Sequence, residues 1–361
     1  MKGKISAIIP VLLVVVILAI LTAGCTSQPA TTPTTAATPA VSETAVPAAA
    51  GTPEASSTTA IGTTAAATAA TATTTATATP YNHDSDTLLI ATTTSLYDTG
   101  LLYTIQDTYQ NETGVKVKIT SQGTGQAIQL AQRGDVDLLL VHSPSQEKTF
   151  MDNGYGVNQR CFAYNYFIIV GPESDPAGIA NLSPTEAFKK IHAAGLNGSQ
   201  NVYFISRGDQ SGTHTAEKTL WAKAGFNYTA NVSDSGPWYL SIGKGMGDTL
   251  VMASQKNAYT LTDEGTYLAY KGQLTVVPLV TSGSDLLNRY SAIAVNQAKN
   301  PNVNEIQADR FINWLISSEG KDLVGNYGVD KYGKSLFTPL TSDVCTVSPF
   351  SCTCTGNVIP V

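Results

Sequence analysis

The chain has 361 residues, a formal net charge of −6 and only 13% charged residues, against about 25% in an ordinary soluble domain. That composition excludes the dense Lys/Arg surface on which nucleic-acid binding depends. Five cysteines in this length exclude a small disulfide-framework protein.

Composition divides the chain into segments. In residues 1–25, Lys2 and Lys4 precede an apolar run from Ile5 to Leu21, followed by Thr22-Ala23-Gly24-Cys25. This pattern predicts a signal peptide or membrane anchor. Small residues before a cysteine resemble a lipoprotein processing site, with Cys25 as the expected lipid anchor. The alternative is an uncleaved helix, for which the apolar run is just long enough. In either case the rest of the chain is expected outside the cytoplasmic membrane, tethered through its N-terminus. Residues 26–85 are nearly all Thr, Ala, Ser and Pro up to Pro80, with no Lys or Arg. They are expected to form a disordered stalk, because they carry too little apolar surface to offset chain entropy. Residues 86–340 are the expected folded body, and 341–361 a tail bearing Cys345, Cys352 and Cys354. With Cys161 these allow two disulfides in an oxidising exterior; a buried free thiol at Cys161 is the alternative.

Within the body, Thr87 to Ala91 reads as a buried strand. Leu101, Leu102, Ile105 and Tyr109 recur at helical spacing and Gly114 closes that helix. Val115 to Ile119 alternates as a strand, Ala127 to Arg133 is helical, Val136 to Val141 is a strand and Ser145 to Asn153 a helix. Phe162 to Val170 is a long β-type run. Helices follow at Pro184–Ala194, Gly212–Ala224, Gly247–Gln255, Asp263–Ala269 and Val303–Ser318. Strands are expected at Asn201–Ser206, Tyr259–Thr260, Thr275–Pro278 and Tyr290–Val295. This alternation predicts an α/β protein with a mostly parallel sheet. Its length favours two lobes, with ligands held where strands end.

The three strand ends that open helices share one chemistry. The first carries Thr92-Thr93-Thr94-Ser95, the second Ser121-Gln122-Gly123-Thr124-Gly125, and the third Ser206-Arg207-Gly208-Asp209-Gln210-Ser211-Gly212-Thr213-His214. Hydroxyls beside unpaired N–H groups at helix N-termini suit an anion, and Arg207 adds a permanent forked charge. One such loop reads equally well as ordinary N-capping; three at successive strand ends favour a shared oxyanion site. Asp209 is expected to hold Arg207 rather than touch the ligand. No metal-ligand spacing, GxSxG or P-loop is present, so no cofactor, metal or catalytic residue is expected.

Those loops, together with Asp137–Pro144, Tyr164–Pro172, Trp238-Tyr239, Gly245-Met246-Gly247 and Tyr259–Tyr267, resemble the tungstate-binding proteins of ABC importers, in order along Thr87 to Leu340. The resemblance implies a two-lobed, class II periplasmic-binding-protein-like fold with the ligand cleft between lobes. One lobe would comprise 86–164 and 263–340, the other 165–262. It implies oxyanion contacts from Thr93, Thr94, Ser95, Thr124, Arg207, Ser211, Gly212 and Thr213, and as partners a permease and an ATPase that take up the anion. Tungstate is the implied ligand, with molybdate, phosphate or sulfate as alternatives. Two other classes of function use the same residues. A hydrolase of anionic esters would pair Ser95 or Ser211 with His214. An adhesin would expose Arg207-Gly208-Asp209.

Overall fold

A computed structural model of the chain describes residues 86–198, 201–340 and 358–361. The anchor with Cys25, the stalk, and the tail cysteines Cys345, Cys352 and Cys354 lie outside the described residues.

In chain order the elements are β1 (Thr87–Thr93), α1 (Thr94–Asp98), α2 (Leu101–Thr113), β2 (Lys116–Gln122), α3 (Thr124–Arg133), β3 (Leu138–Val141), α4 (Pro144–Asp152) and β4 (Gly156–Gly171). Then come α5 (Pro184–Asn197), β5 (Phe204–Ser206), α6 (Gly212–Lys223), β6 (Tyr239–Ser241), α7 (Met246–Lys256), β7 (Thr260–Asp263) and α8 (Glu264–Tyr270). The chain closes with β8 (Val277–Val280), β9 (Leu287–Val295), α9 (Glu305–Leu315), α10 (Ser318–Asn326), α11 (Val329–Tyr332) and β10 (Thr338–Pro339).

The strand order β2-β1-β3-β9-β4-β10 forms the first lobe's sheet. Only β1–β2 and β1–β3 pair parallel there; β9 runs antiparallel to both β3 and β4, and β10 antiparallel to β4. The expected mostly parallel sheet is therefore corrected to a mixed one. The cause is β4, whose 16 residues extend well beyond the predicted run. The strand pairs with β9 as far as Tyr166 and with β7 from Phe167 onward. Apolar residues alternate between two cores along this second half. Phe167 and Ile169 join a cluster with Phe188, Phe204 and Trp221, while Ile168 and Val170 face Met246 and Leu250. The first half supplies Phe162 and Ala163 to a separate cluster built on Leu88, Ile90, Leu138 and Phe311. One strand thus serves both lobes.

Two further expectations change. The helix predicted over Val303–Ser318 ends at Leu315, and a second begins at Ser318, because the Ser317 hydroxyl caps the Gly320 N–H and capping favours a fresh start there. Cys161 is fully buried on β4 and disulfide-bonded, so the free-thiol alternative is dropped; its partner lies outside the described residues.

Candidate functional site

The three predicted loops converge. Arg207, just past β5, is 1% exposed. Its Nη2 donates to Thr94 Oγ1 at 2.9 Å and to Asp209 Oδ2 at 2.5 Å. The first bond crosses from one lobe to the other; the second fixes the guanidinium from within its own loop. Asp209 is occupied a second time, since its Oδ1 accepts from Ser211 N at 3.2 Å. The remaining Arg207 donors, Nε and Nη1, are buried with no protein acceptor, and so is the Thr213 hydroxyl. Buried donors without partners are costly, so these three atoms mark where a ligand's oxygens belong.

The other hydroxyls reveal their polarity through the donors that already fill them. Thr94 Oγ1 accepts from Arg207 and from Met246 N at 3.3 Å. Thr124 Oγ1 accepts from Gly212 N at 3.1 Å, and Ser211 Oγ caps α6 by accepting from His214 N at 3.1 Å. A hydroxyl has one proton, and in each case that proton is left to be donated. Thr93 caps α1 by accepting from Leu96 N at 3.4 Å and lies 3.3 Å from Ser95 Oγ. Ser95 Oγ in turn lies 2.9 Å from His142 Nε2.

Sequence reasoning missed Gln146 and Asp98, which reach across to the other lobe from outside the three loops. Gln146 on α4 donates from Nε2 to Gln210 O at 3.0 Å and Thr215 Oγ1 at 2.9 Å. Gly247 N donates to Asp98 Oδ2 at 3.3 Å. Backbones also meet directly: a Cβ on Gly212 would lie 2.8 Å from the His142 carbonyl oxygen, and one on Gly123 would lie 2.8 Å from that of Asp209. These residues lie in different elements, and no local spacing announces such meetings.

His214 does not face a nucleophile. Its Nδ1 accepts from Gln210 N at 3.1 Å, and its Nε2 bonds the Tyr228 hydroxyl at 2.9 Å. Behind it, Tyr228 bonds Tyr239, whose hydroxyl donates to the buried Glu217 at 2.6 Å. Glu217 also accepts from Ser206 at 2.6 Å and Trp221 at 3.1 Å, so this network braces the Arg207 loop at both ends. Burial pushes Glu217 up to about 7 and His214 down to about 4. The Arg207-Gly208-Asp209 tripeptide is packed inside the cleft, which excludes the adhesin reading. Among the described residues no group of three or more His, Cys, Asp or Glu side chains is gathered as for a metal ion.

Two α/β lobes built around a shared long strand, with loops from both meeting on a buried arginine, define a two-lobed solute-binding protein. The model of the PBP superfamily domain matches residues 47–319. The tungstate-binding protein TupA of Peptoclostridium acidaminophilum is 41% identical over 255 residues, covering 70% of this chain and 85% of that protein. A putative ABC transporter anion-binding protein of Haloferax volcanii is 44% identical over 258 residues, covering 70% and 71%. The crystal structure of the tungstate ABC transporter from Geobacter sulfurreducens superposes with a TM-score of 0.59 at 41% identity, covering 67% of this chain and 99% of that one. The chain belongs to the PBP superfamily and, within it, to the family of the tungstate-binding proteins.

Proposed function

We propose that this protein captures tungstate outside the cytoplasm and delivers it to the permease of an ATP-driven importer. The observation that carries the reading is the donor-only character of the closed site: the unpaired Arg207 Nε and Nη1, the Thr213 hydroxyl, and the Thr94, Thr124 and Ser211 hydroxyls, each with its proton left to give. The N-terminus of α6 adds its dipole to the same place. A fully ionised tetrahedral dianion accepts hydrogen bonds only, so it satisfies every one of these groups. Hydrogenphosphate keeps a proton that seeks an acceptor, and the one carboxylate of these loops, Asp209, is already filled by Arg207 and Ser211 N. Molybdate shares the charge and shape of tungstate and is the second reading. The site holds its cargo without chemistry and needs no cofactor. Closure of the lobes around the anion is a hinge motion, with β4 as the crossing strand.

The location is supported by the Cys161 disulfide, which suits an oxidising compartment, and by the anchor-like N-terminus with its stalk. Lipid at Cys25 would tether the body to the membrane where the transporter sits.

Calorimetric titration of ligand-stripped protein with tungstate, molybdate, sulfate and phosphate tests the reading. Tungstate and molybdate are expected to bind, and phosphate to bind far more weakly. No heat with any of the four would overturn it. Arg207→Ala removes two charge-assisted bonds of about 1.5–3 kcal/mol each, so affinity should fall by about 10²–10⁴.

A further inference from the structure

A chain of hydrogen bonds runs behind the anion loop toward the strands that join the lobes. Ser95 Oγ lies 2.9 Å from His142 Nε2, and His142 Nδ1 lies 2.8 Å from Asn288 Oδ1 on β9. Asn288 Nδ2 donates to Asn165 Oδ1 at 2.9 Å and to the Tyr290 hydroxyl at 2.8 Å. Asn165 sits on β4 two residues before that strand changes partner from β9 to β7. Ser95, His142, Asn165 and Asn288 are all buried, at 0%, 2%, 5% and 1% exposed.

The direction of the chain is set at its far end by a backbone group that has no choice. At the far end, Asn165 Nδ2 points to the Leu336 carbonyl at 3.5 Å, and a carbonyl only accepts. Asn165 therefore turns its oxygen to Asn288, and Asn288 turns its own oxygen to His142. His142 must then donate from Nδ1, which leaves Nε2 bare. A bare Nε2 takes the Ser95 proton, and Ser95, with its one proton spent, can only accept from Thr93, whose oxygen also accepts from Leu96 N. Every link agrees on one polarity. A neutral ring is what burial favours here, and the nearby Arg207 charge acts the same way, pushing His142 down to about 4.

We propose that His142 is a positioning residue for the oxyanion: it takes up the Ser95 proton and ties the Thr93–Ser95 loop to the lobe-joining strands through Asn288 and Asn165. The Thr93 and Ser95 hydroxyl protons are thereby committed inward, and the anion is left to Thr94, Thr124, Arg207, Ser211 and Thr213. The same ring lies against Gly212, whose added Cβ would meet His142 Cε1 at 2.8 Å, so one side chain registers both the loop behind the anion and the arrival of the opposite lobe.

The inference rests on the oxyanion reading, and the test separates the two. Wild-type protein is first titrated with tungstate; absence of heat there fails the oxyanion reading alone. His142→Met removes both ring nitrogens and should weaken tungstate binding by about tenfold or more, since it leaves buried groups unpaired. His142→Gln offers an amide oxygen to Ser95 and an N–H to Asn288, and should recover most of that loss. Combining His142→Met with Ser95→Ala should cost no more than the larger single change, because both break one chain. Fully additive losses, or wild-type affinity in His142→Met, would overturn the proposal. Nitrogen NMR of the wild-type imidazole gives a readout that survives if a variant fails to fold. Nδ1 should carry the proton and Nε2 none at neutral pH; the opposite tautomer or an imidazolium would refute it.

Discussion

Replacing Gly212 with alanine perturbs closure without removing any donor side chain of the site. The new Cβ would lie 2.8 Å from both the carbonyl oxygen and ring Cε1 of His142, against an ordinary contact of about 3.5 Å. Gly212 opens α6 in one lobe and His142 follows β3 in the other, so the clash exists only when the lobes are together. Relieving it requires the seam to part by roughly 0.7 Å, which would stretch the 3.1 Å bond from Gly212 N to Thr124 beyond hydrogen-bonding range. Overpacking costs about 1–3 kcal/mol and the bond about 0.5–1.5 kcal/mol. Tungstate affinity should therefore fall by roughly 10- to 10³-fold. The assay is calorimetry paired with thermal unfolding, with and without tungstate. Melting without ligand should be unchanged, while the ligand-induced shift shrinks. Gly272→Ala is the control, because no atom lies within 4 Å of its added Cβ. A folded Gly212→Ala protein that binds with wild-type affinity would refute the reasoning.

Other expectations concern different contacts. Gln146→Ala removes two cross-cleft bonds, to Gln210 O and Thr215 Oγ1, and no group assigned to the anion, so tungstate and molybdate should both weaken by a common factor of about ten, mostly through faster release; a changed ratio between them would contradict this role. His142 titrates near 4 when folded against 6.5 in its unperturbed state, so the unfolded chain binds the proton first as pH falls. Wild-type stability should drop by up to ~3 kcal/mol from this group between pH 6.5 and 4 and no further below. His142→Gln should show a shallower acid loss by denaturant unfolding, and an identical slope would count against it. Ile359 is 3% exposed and its backbone is bracketed by Asn313, with both bonds at 2.9 Å. Ile359→Ala should cost about 2–5 kcal/mol and lower the melting temperature by several degrees while sparing tungstate binding; unchanged melting would show that the C-terminus contributes nothing.

Local pattern carried much of this architecture. Leu101, Leu102, Ile105 and Tyr109 are the buried face of α2, and Gly114 ends it in the left-handed conformation at φ 74°. The three hydroxyl-rich loops were legible because capping chemistry and glycine are short-range signals, and Arg207 stood out as the lone cation among them. What escaped was long-range. Strand direction in the sheet depends on how β4 is shared, and a continuous apolar run looks the same in either direction. His142 and Asn288 are separated by 146 positions, and neither has a neighbour in sequence that announces the other. In the first loop, a row of hydroxyls reads as uniform donors; only the partners on their far sides distinguish Thr94 from Thr93 and Ser95.

The shared strand also orders events in time. The second lobe's core, from Phe167 to Leu286, is nearly continuous in the chain, so its contacts are available once that stretch has emerged. The first lobe's core joins Leu88 to Phe311 and Ile359, and must wait for the late strands and helices. Its early half, β1 to β3 with α2, α3 and α4 against them, still lacks the apolar partners that β9 and α9 supply. Such intermediates are prone to aggregate. Residues 88–163 are therefore the part whose core waits longest for its partners, and the middle of the sequence is the part that can mature first.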